Sequence, residues 1–289
     1  MKRESIDDLK EYLSMGKSLK VCILDNNSVE FLTRVNEIVG PDKIFNQYDM
    51  ILVPRWVWFE ICNSDVRENY VNNLKSYSKL QIIDEIHYSE LVNYREAELY
   101  YLFLYSCYNV SRIVSFIKKN ILNKGKVEDI DPYEEWLNML YYEGLDKKES
   151  KDGKILRKNA GEISISVLSY IISYYYEKNV DVITVFSNDR DAYEFISKAK
   201  EMLNKHEVFK NRNSTPITFK SNDFLIYEWT RNKFIDETNI DDFVTNHRQL
   251  RKIKFTRKKQ DNSIEEQDKL IDNETFLKML KDSTLHIIF

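Results

Sequence analysis

The sequence predicts an α/β fold built on a mainly parallel central sheet. Three observations carry this. Short apolar runs alternate with helix-spaced segments, which is the order of βαβ units. Two of those runs, "VCIL" at 21–24, continuously apolar, and "DVITVF" at 181–186, largely so, read as strands buried on both faces. The chain of 289 residues contains only 6 Gly and 4 Pro, which disfavours an all-β, turn-rich architecture.

Residues 1–13 read as a short amphipathic helix, and "VCIL" as the first strand. From Ser28 to Val39 the apolar residues Val29, Phe31, Leu32, Val35, Ile38 and Val39 recur at helical spacing, and Gly40–Pro41 stops that helix. "MILVP" (50–54) is a second strand, and "RWVWFEICNS" (55–64) begins a helix after Pro54. "KLQIID" (79–84) is a third strand. From about 85 to 158 the pattern is helical, with "ELVNYREAELYYLFLYSC", "VSRIVSFIKKNIL" and "PYEEWLNMLYYEGL", and is predicted to add to one side of the fold without entering the sheet. "DKKESKDGK" (146–154) reads as a polar loop. "NAGEISISVLSYIISYYYEK" (159–178) is an apolar helix, "DVITVFSND" a further strand, "DAYEFISKAKEML" (191–203) an amphipathic helix and "TPITF" (215–219) a last strand. Two parts follow, a domain over 1–230 and a charged C-terminal extension over 231–289.

Hydrophobic residues make up 43% and charged residues 31%, a globular balance, with net charge −4. Any nucleic-acid surface must therefore be local. Cys22, Cys62 and Cys107 are widely spaced, form no CxxC pair, and read as small buried hydrophobes in a reducing compartment. The start "MKRESIDDLKEYL" lacks an apolar signal core, and no run is long enough to span a bilayer, so a cytoplasmic protein without membrane attachment is expected. Neither GxxxxGK[ST] nor GxGxxG occurs, which argues against a P-loop nucleotidase or a Rossmann dehydrogenase.

Four acids stand out by position. Asp25 ends the first strand, Glu60 lies about two turns into the helix after Pro54, Glu162 is in the first turn of its helix, and Asp189 ends the later strand with Asp191 two residues on. In parallel sheets ligands bind beyond the carboxyl ends of the strands, where Asp25 and Asp189 both sit. Clustered carboxylates without histidine select hard cations such as Mg²⁺ or Mn²⁺, and ions held this way activate water in phosphodiester hydrolysis. Each acid has a structural alternative. Asp25 and Asp189 are placed to cap helices, Glu162 stands three residues after Asn159 in a capping-box arrangement, and Glu60 fits a solvent-facing position. One shared site explains all four together.

The order and setting of "LDNNSV" (24–29), "VPRWVWFEI" (53–61), "NAGEISISVLS" (159–169) and "VFSNDRDAYEF" (185–195) resemble the PIN-domain nuclease family. The resemblance covers roughly 20–225 apart from the insert. It implies a three-layer α/β/α sandwich and metal-dependent endonuclease activity, RNA before DNA, with Asp25, Glu60, Glu162 and Asp189 as catalytic metal ligands. The family's polar position falls on Asn27, which would orient an acid or a water. In the last motif Ser187 and Asn188 replace the usual threonine and first acid, so Asp189, helped by Asp191, carries the fourth acidic position.

Arg190 lies beside this site and is placed either for a phosphate or for a neighbouring carboxylate. The run "HRQLRKIKFTRKK" (247–259) carries seven Lys/Arg and no acid. Arg251, Lys252, Arg257 and Lys258 are its candidate phosphate contacts, with a solvated tail as the equally weighted alternative and the acids of 261–268 placed to fold back on it. A toxin or defence nuclease controlled by an inhibitory or activating protein partner, or by self-assembly into a homo-oligomer, is a variant of the enzymatic reading. A catalytically inactive nucleic-acid-binding scaffold is the alternative from another class.

Overall fold

The computed structural model describes residues 6–77, 80–122, 131–149, 153 and 155–289. The first residues of the expected N-terminal helix, the start of the third strand, 123–130 of the insert and most of the 150–154 stretch lie outside the described residues.

After helix α1 (Ile6–Met15), the chain alternates β1 (Leu19–Leu24), α2 (Asn26–Val35), α3 (Pro41–Phe45), β2 (Met50–Pro54), α4 (Arg55–Ile61), α5 (Asp65–Tyr77) and β3 (Leu80–Ile83). The insert contributes α6 (Tyr88–Leu91), α7 (Glu96–Ser106), α8 (Ser111–Phe116) and α9 (Tyr133–Met139), then the short strands β4 (Lys147–Glu149) and β5 (Ile155–Arg157). Next come α10 (Ala160–Tyr175), β6 (Val180–Phe186), α11 (Arg190–Leu203), β7 (Ile217–Lys220) and α12 (Asn222–Arg231). The C-terminal part is α13 (Ile240–His247), β8 (Arg251–Lys258), β9 (Ile264–Ile271), α14 (Asn273–Lys281) and β10 (Leu285–Ile287).

The fold is α/β. Five strands form the central sheet in the order β3–β2–β1–β6–β7, every neighbouring pair parallel. Helices cover it in a manner consistent with a three-layer sandwich. The expected strands are all present, and no strand of the insert enters this sheet among the described residues. The stretch read as a polar loop departs from expectation. β4 pairs antiparallel with β5, Lys148 opposite Leu156, in a separate two-stranded sheet. The exposed "KKE" of β4 has no apolar period to betray it, and its pairing rests on the half-hidden partner strand, where Leu156 and Arg157 are buried.

Helix α10 explains much of the packing. All of its residues except Glu162 and Tyr175 are buried, so it is a core helix rather than a surface one. Its serines satisfy their hydroxyls inside: Ser166 pairs with Ser106 of α7 at 2.8 Å, Ser169 donates to the Ile165 carbonyl, and Ser173 donates to the Thr215 carbonyl. An apolar helix with one half-buried acid at its start aims that acid at whatever lies beyond the sheet.

The C-terminal residues form a second, antiparallel sheet in the order β10–β8–β9. The basic run becomes strand β8, whose Ile253 and Phe255 point inward, and the following acids pair across from it, Lys254 opposite Asp268 and Arg257 opposite Glu265. Lys254–Glu266 and Lys259–Glu265 ion pairs at 2.9 and 3.5 Å reinforce the ribbon. Trp229 stacks on Phe31 of α2 at 5.8 Å and meets Phe243, while Phe289 packs on Tyr193 and Phe219, which ties this part to the central layer. No helix is long and apolar enough to cross a membrane among the described residues. All three cysteines are free.

Candidate active site

The strand order reverses between β1 and β6: the chain runs outward through β2 and β3, then returns to the other side of β1. Such a switch point opens a crevice at the carboxyl ends of the strands. Leu24 and Phe186 are register partners at that edge, so the next residues, Asp25 and Ser187, leave the sheet side by side. Asp25 donates its backbone N–H to the Phe186 carbonyl at 3.0 Å. The Ser187 hydroxyl donates to Asp25 Oδ2 at 2.7 Å and accepts from the Asp189 backbone N–H at 3.1 Å.

Glu60 reaches the same place from the last turn of α4, which packs on α10. A Cβ placed on Gly161 would stand 3.6 Å from Glu60 Oε1 and 3.4 Å from Val57 Cγ2, so the Glu60 carboxylate lies against the first turn of α10, one residue from Glu162. The capping box is not formed: Asn159 is left-handed, φ 64°, and its side chain makes no cap bond. Asp25 holds the N-cap position of α2 without capping it, whereas Asp189 does cap α11 by accepting from the Asp191 N–H at 2.9 Å.

The four carboxyls act on one another. Burial pushes Asp25 up to about 7; the Ser187 hydrogen bond opposes the rise, and the charges of Glu60 and Asp189 add to it. Burial, then the charges of Asp25, Glu60 and Asp189, push Glu162 up to about 8. Glu60 is raised by burial, opposed by Lys148 and Arg67 and reinforced by Asp189. The Ser187–Asp25 bond, the Glu60–Gly161 contact and this mutual electrostatic influence bring the acids that follow β1 and β6 near those of α4 and α10, at the carboxyl end of the sheet. Asp191 is exposed and raised by burial and by Asp189 and Glu194, so it flanks the group.

The other candidates are distributed more widely. Asn27 is exposed in the first turn of α2. Arg190 pairs with Asp268 of β9 at 2.6 Å and with Glu194. Arg257 pairs with Asp282 at 3.3 Å, and Lys252 and Lys258 are exposed. Arg251 turns inward, its Nε 3.7 Å from the buried Asp223 carboxylate.

Glu85 escaped the sequence reading. It is 1% exposed and accepts from the Trp56 backbone N–H at 3.0 Å and from the Ser164 hydroxyl at 2.5 Å, which joins the start of α4 to α10. Tyr88 shares the Ser164 hydroxyl at 2.8 Å, and the Tyr133 hydroxyl donates to the Glu85 carbonyl. Burial pushes the Glu85 carboxyl up to about 8 against these hydrogen bonds. The signal was available: β3, like β1 and β6, runs straight into acids, Asp84 and Glu85.

The donors suit a hard divalent cation in type: four carboxylates, no thiol or imidazole, with the proton affinities of Asp25, Glu60 and Glu162 raised in ways that a bound cation would reverse. Among the described residues no three His, Cys, Asp or Glu side chains stand preassembled as a ligand set, so a cation would draw the carboxylates closer together. No protein-family model matches the chain, and neither a curated protein nor a solved structure matches it.

Proposed function

We propose that this protein is a PIN-like, Mg²⁺- or Mn²⁺-dependent endonuclease that hydrolyses phosphodiester bonds of single-stranded RNA. The observation that carries the reading is the gathering of Asp25, Glu60, Glu162 and Asp189, from four separate elements, at the switch point of a parallel sheet. A structural cap accounts for Asp189 alone; it leaves the burial of Asp25 and Glu162 beside other acids unexplained.

In this reading the four carboxylates hold the cation, which supplies Lewis-acid activation of water and charge neutralisation at the leaving oxygen. Ser187 fixes the Asp25 carboxylate and ties it to the turn that carries Asp189. Lys148 and Arg67 favour the ionised form of Glu60. Exposed Asn27 would orient an acid or a water in this reading. Cleavage of a labelled single-stranded RNA with Mn²⁺, absent in EDTA and lost in Asp25→Asn and Glu162→Gln, tests the proposal; cleavage unchanged in both variants overturns it.

One observation favours a second reading, an inactive nucleic-acid-binding scaffold. Asn188 stands where the family usually has an acid, and its Oδ1 accepts from the Asn222 backbone N–H at 3.2 Å, so it is committed to the start of α12. A scaffold would bind RNA in EDTA and show no Mn²⁺-dependent stabilisation.

A further inference from the structure

Beside the acids lies a cleft of about 120 Å³, lined by Asn27 and Asn188, by the acids Glu30 and Asp223 and by Arg34, Arg248 and Arg251. Its charge is unbalanced. The Asp223 side chain is 1% exposed and serves two guanidiniums, with Arg248 Nε at 2.9 Å and Arg251 Nε at 3.7 Å. Each nitrogen of Arg248 has a partner, since it also donates to Asn273 Oδ1 and to the Ile271 carbonyl, each at 2.8 Å, and it lies over the Phe276 ring. Arg251 is not: its Nη1 is buried without an acceptor. One carboxylate between two arginines leaves an excess positive charge in a largely desolvated place, offset in part by the Phe289 ring under Arg251, and a further anion would stabilise it. Arg34 adds a second cation at the rim and makes no ion pair among the described residues, while Glu30 beside it faces Arg67 at 3.7 Å. Arg251 also feels the charge of Asp189, so cleft and acids adjoin.

We propose that this cleft seats a phosphate group of a nucleic-acid strand next to the one positioned at the acids. Guanidinium donors of fixed geometry suit phosphate oxygens, and the volume admits a phosphate with ordered water. The seat deepens the nuclease reading and rests on it for the identity of the strand. Two sources share this chemistry: a terminal phosphate monoester and an internal phosphodiester.

The test is made on the full chain in EDTA, so that it does not depend on cleavage. Inorganic phosphate, then three versions of one short RNA (5′-phosphorylated, 3′-phosphorylated and unphosphorylated), are titrated by thermal shift and calorimetry. The parent should bind phosphate; Arg34→Gln should weaken it severalfold and Arg251→Gln at least tenfold, while Lys17→Gln, an exposed change between α1 and β1, leaves it unchanged. Arg34 is exposed, so its variant stays informative if Arg251→Gln fails to fold. A tenfold preference for one phosphorylated end assigns a terminal monoester, and equal binding of all three RNAs, still sensitive to Arg34, assigns an internal phosphodiester. Undiminished binding of phosphate and RNA by Arg34→Gln and Arg251→Gln overturns the seat. Asp25→Asn should keep phosphate binding while losing cleavage. A parent that binds phosphate through Arg34 yet never cleaves RNA overturns the nuclease reading and leaves the seat standing; a parent that cleaves with both arginines dispensable does the reverse.

Discussion

Ser187 Oγ donates to Asp25 Oδ2 at 2.7 Å across 162 positions of sequence, fastening together the ends of the two central strands. The bond also holds a carboxylate in a place that disfavours its charge. Burial and the acids beside it push Asp25 up to about 7, so without a cation these carboxylates repel one another at a cost in folding stability.

Replacing Asp25 by Asn should therefore separate ligand from cap. In EDTA at pH 8 the variant should melt at or above the parent temperature, because a buried charge is gone. With Mn²⁺ it should gain less than the parent, and RNA cleavage should be nearly abolished. Since Asn caps helices almost as well as Asp, a purely structural Asp25 predicts no change in metal response. Thermal melts with and without Mn²⁺, beside a cleavage assay, read the difference.

Ser187→Ala removes a donor to Asp25 and an acceptor for the Asp189 N–H at once. A loss of about 1–3 kcal/mol in chemical denaturation is expected from the polar groups left unpaired. Gly161 sets a steric limit on the same site. Its Cβ position is in ordinary contact with Glu60 Oε1 at 3.6 Å, so Gly161→Ala should be active, while Gly161→Leu should displace the Glu60 carboxylate and lower activity without unfolding the protein. Equal activity of the two variants would place Glu60 outside the reacting centre.

Asp223→Asn should destabilise far more than a surface change. The variant leaves Arg248, whose side chain is 1% exposed, without its carboxylate, and breaking such a pair costs about 3–5 kcal/mol. The loss should appear as reduced denaturant midpoint and as exposure of the C-terminal sheet to proteolysis, since Arg248 also holds Asn273 and Ile271.

The parts that the sequence revealed and concealed divide along physical lines. β1, β2 and β6 were legible because a strand covered on both faces must be apolar throughout, and Asp25 and Asp189 were legible because a charge directly after such a run is anomalous. Glu60 and Glu162 were found as acids in otherwise apolar helices. The same logic applied to β3 would have found Glu85. Asp223 was not legible, because "SNDF" after β7 reads as an ordinary capped helix start, and Ser221 does cap α12. Arg251 read as one cation of a run open to phosphate or solvent; its inward turn depends on register, since β8 alternates faces and only pairing with β9 and β10 fixes which residues point in. Arg190 was left between phosphate and carboxylate, and the answer, Asp268, lies on a strand that has no apolar period of its own.

Glu85 supplies the pH dependence that distinguishes scaffold from site. In the unfolded chain it ionises near the ordinary 4.5; in the fold burial moves it up to about 8. Between those values the folded state holds a proton that the unfolded state has released, so raising the pH favours unfolding. The stabilisation from this group is complete below about 4.5 and is lost by about 8, a change on the order of a few kcal/mol. Asp25 and Glu162 act in the same direction over similar ranges, but their part should vanish when a divalent cation binds the ionised carboxylates. Glu85 is walled off by Trp56 and Ser164, and its part should persist. Glu85→Gln keeps a carbonyl oxygen for both donors and removes the titration. Denaturation between pH 5 and 8 should show a falling stability in the parent, a shallower fall with Mn²⁺, and almost none in Glu85→Gln with Mn²⁺. A slope in that variant as steep as in the parent would mean that Glu85 is already ionised in the fold, and that the hydrogen bonds from Trp56 and Ser164 outweigh its burial.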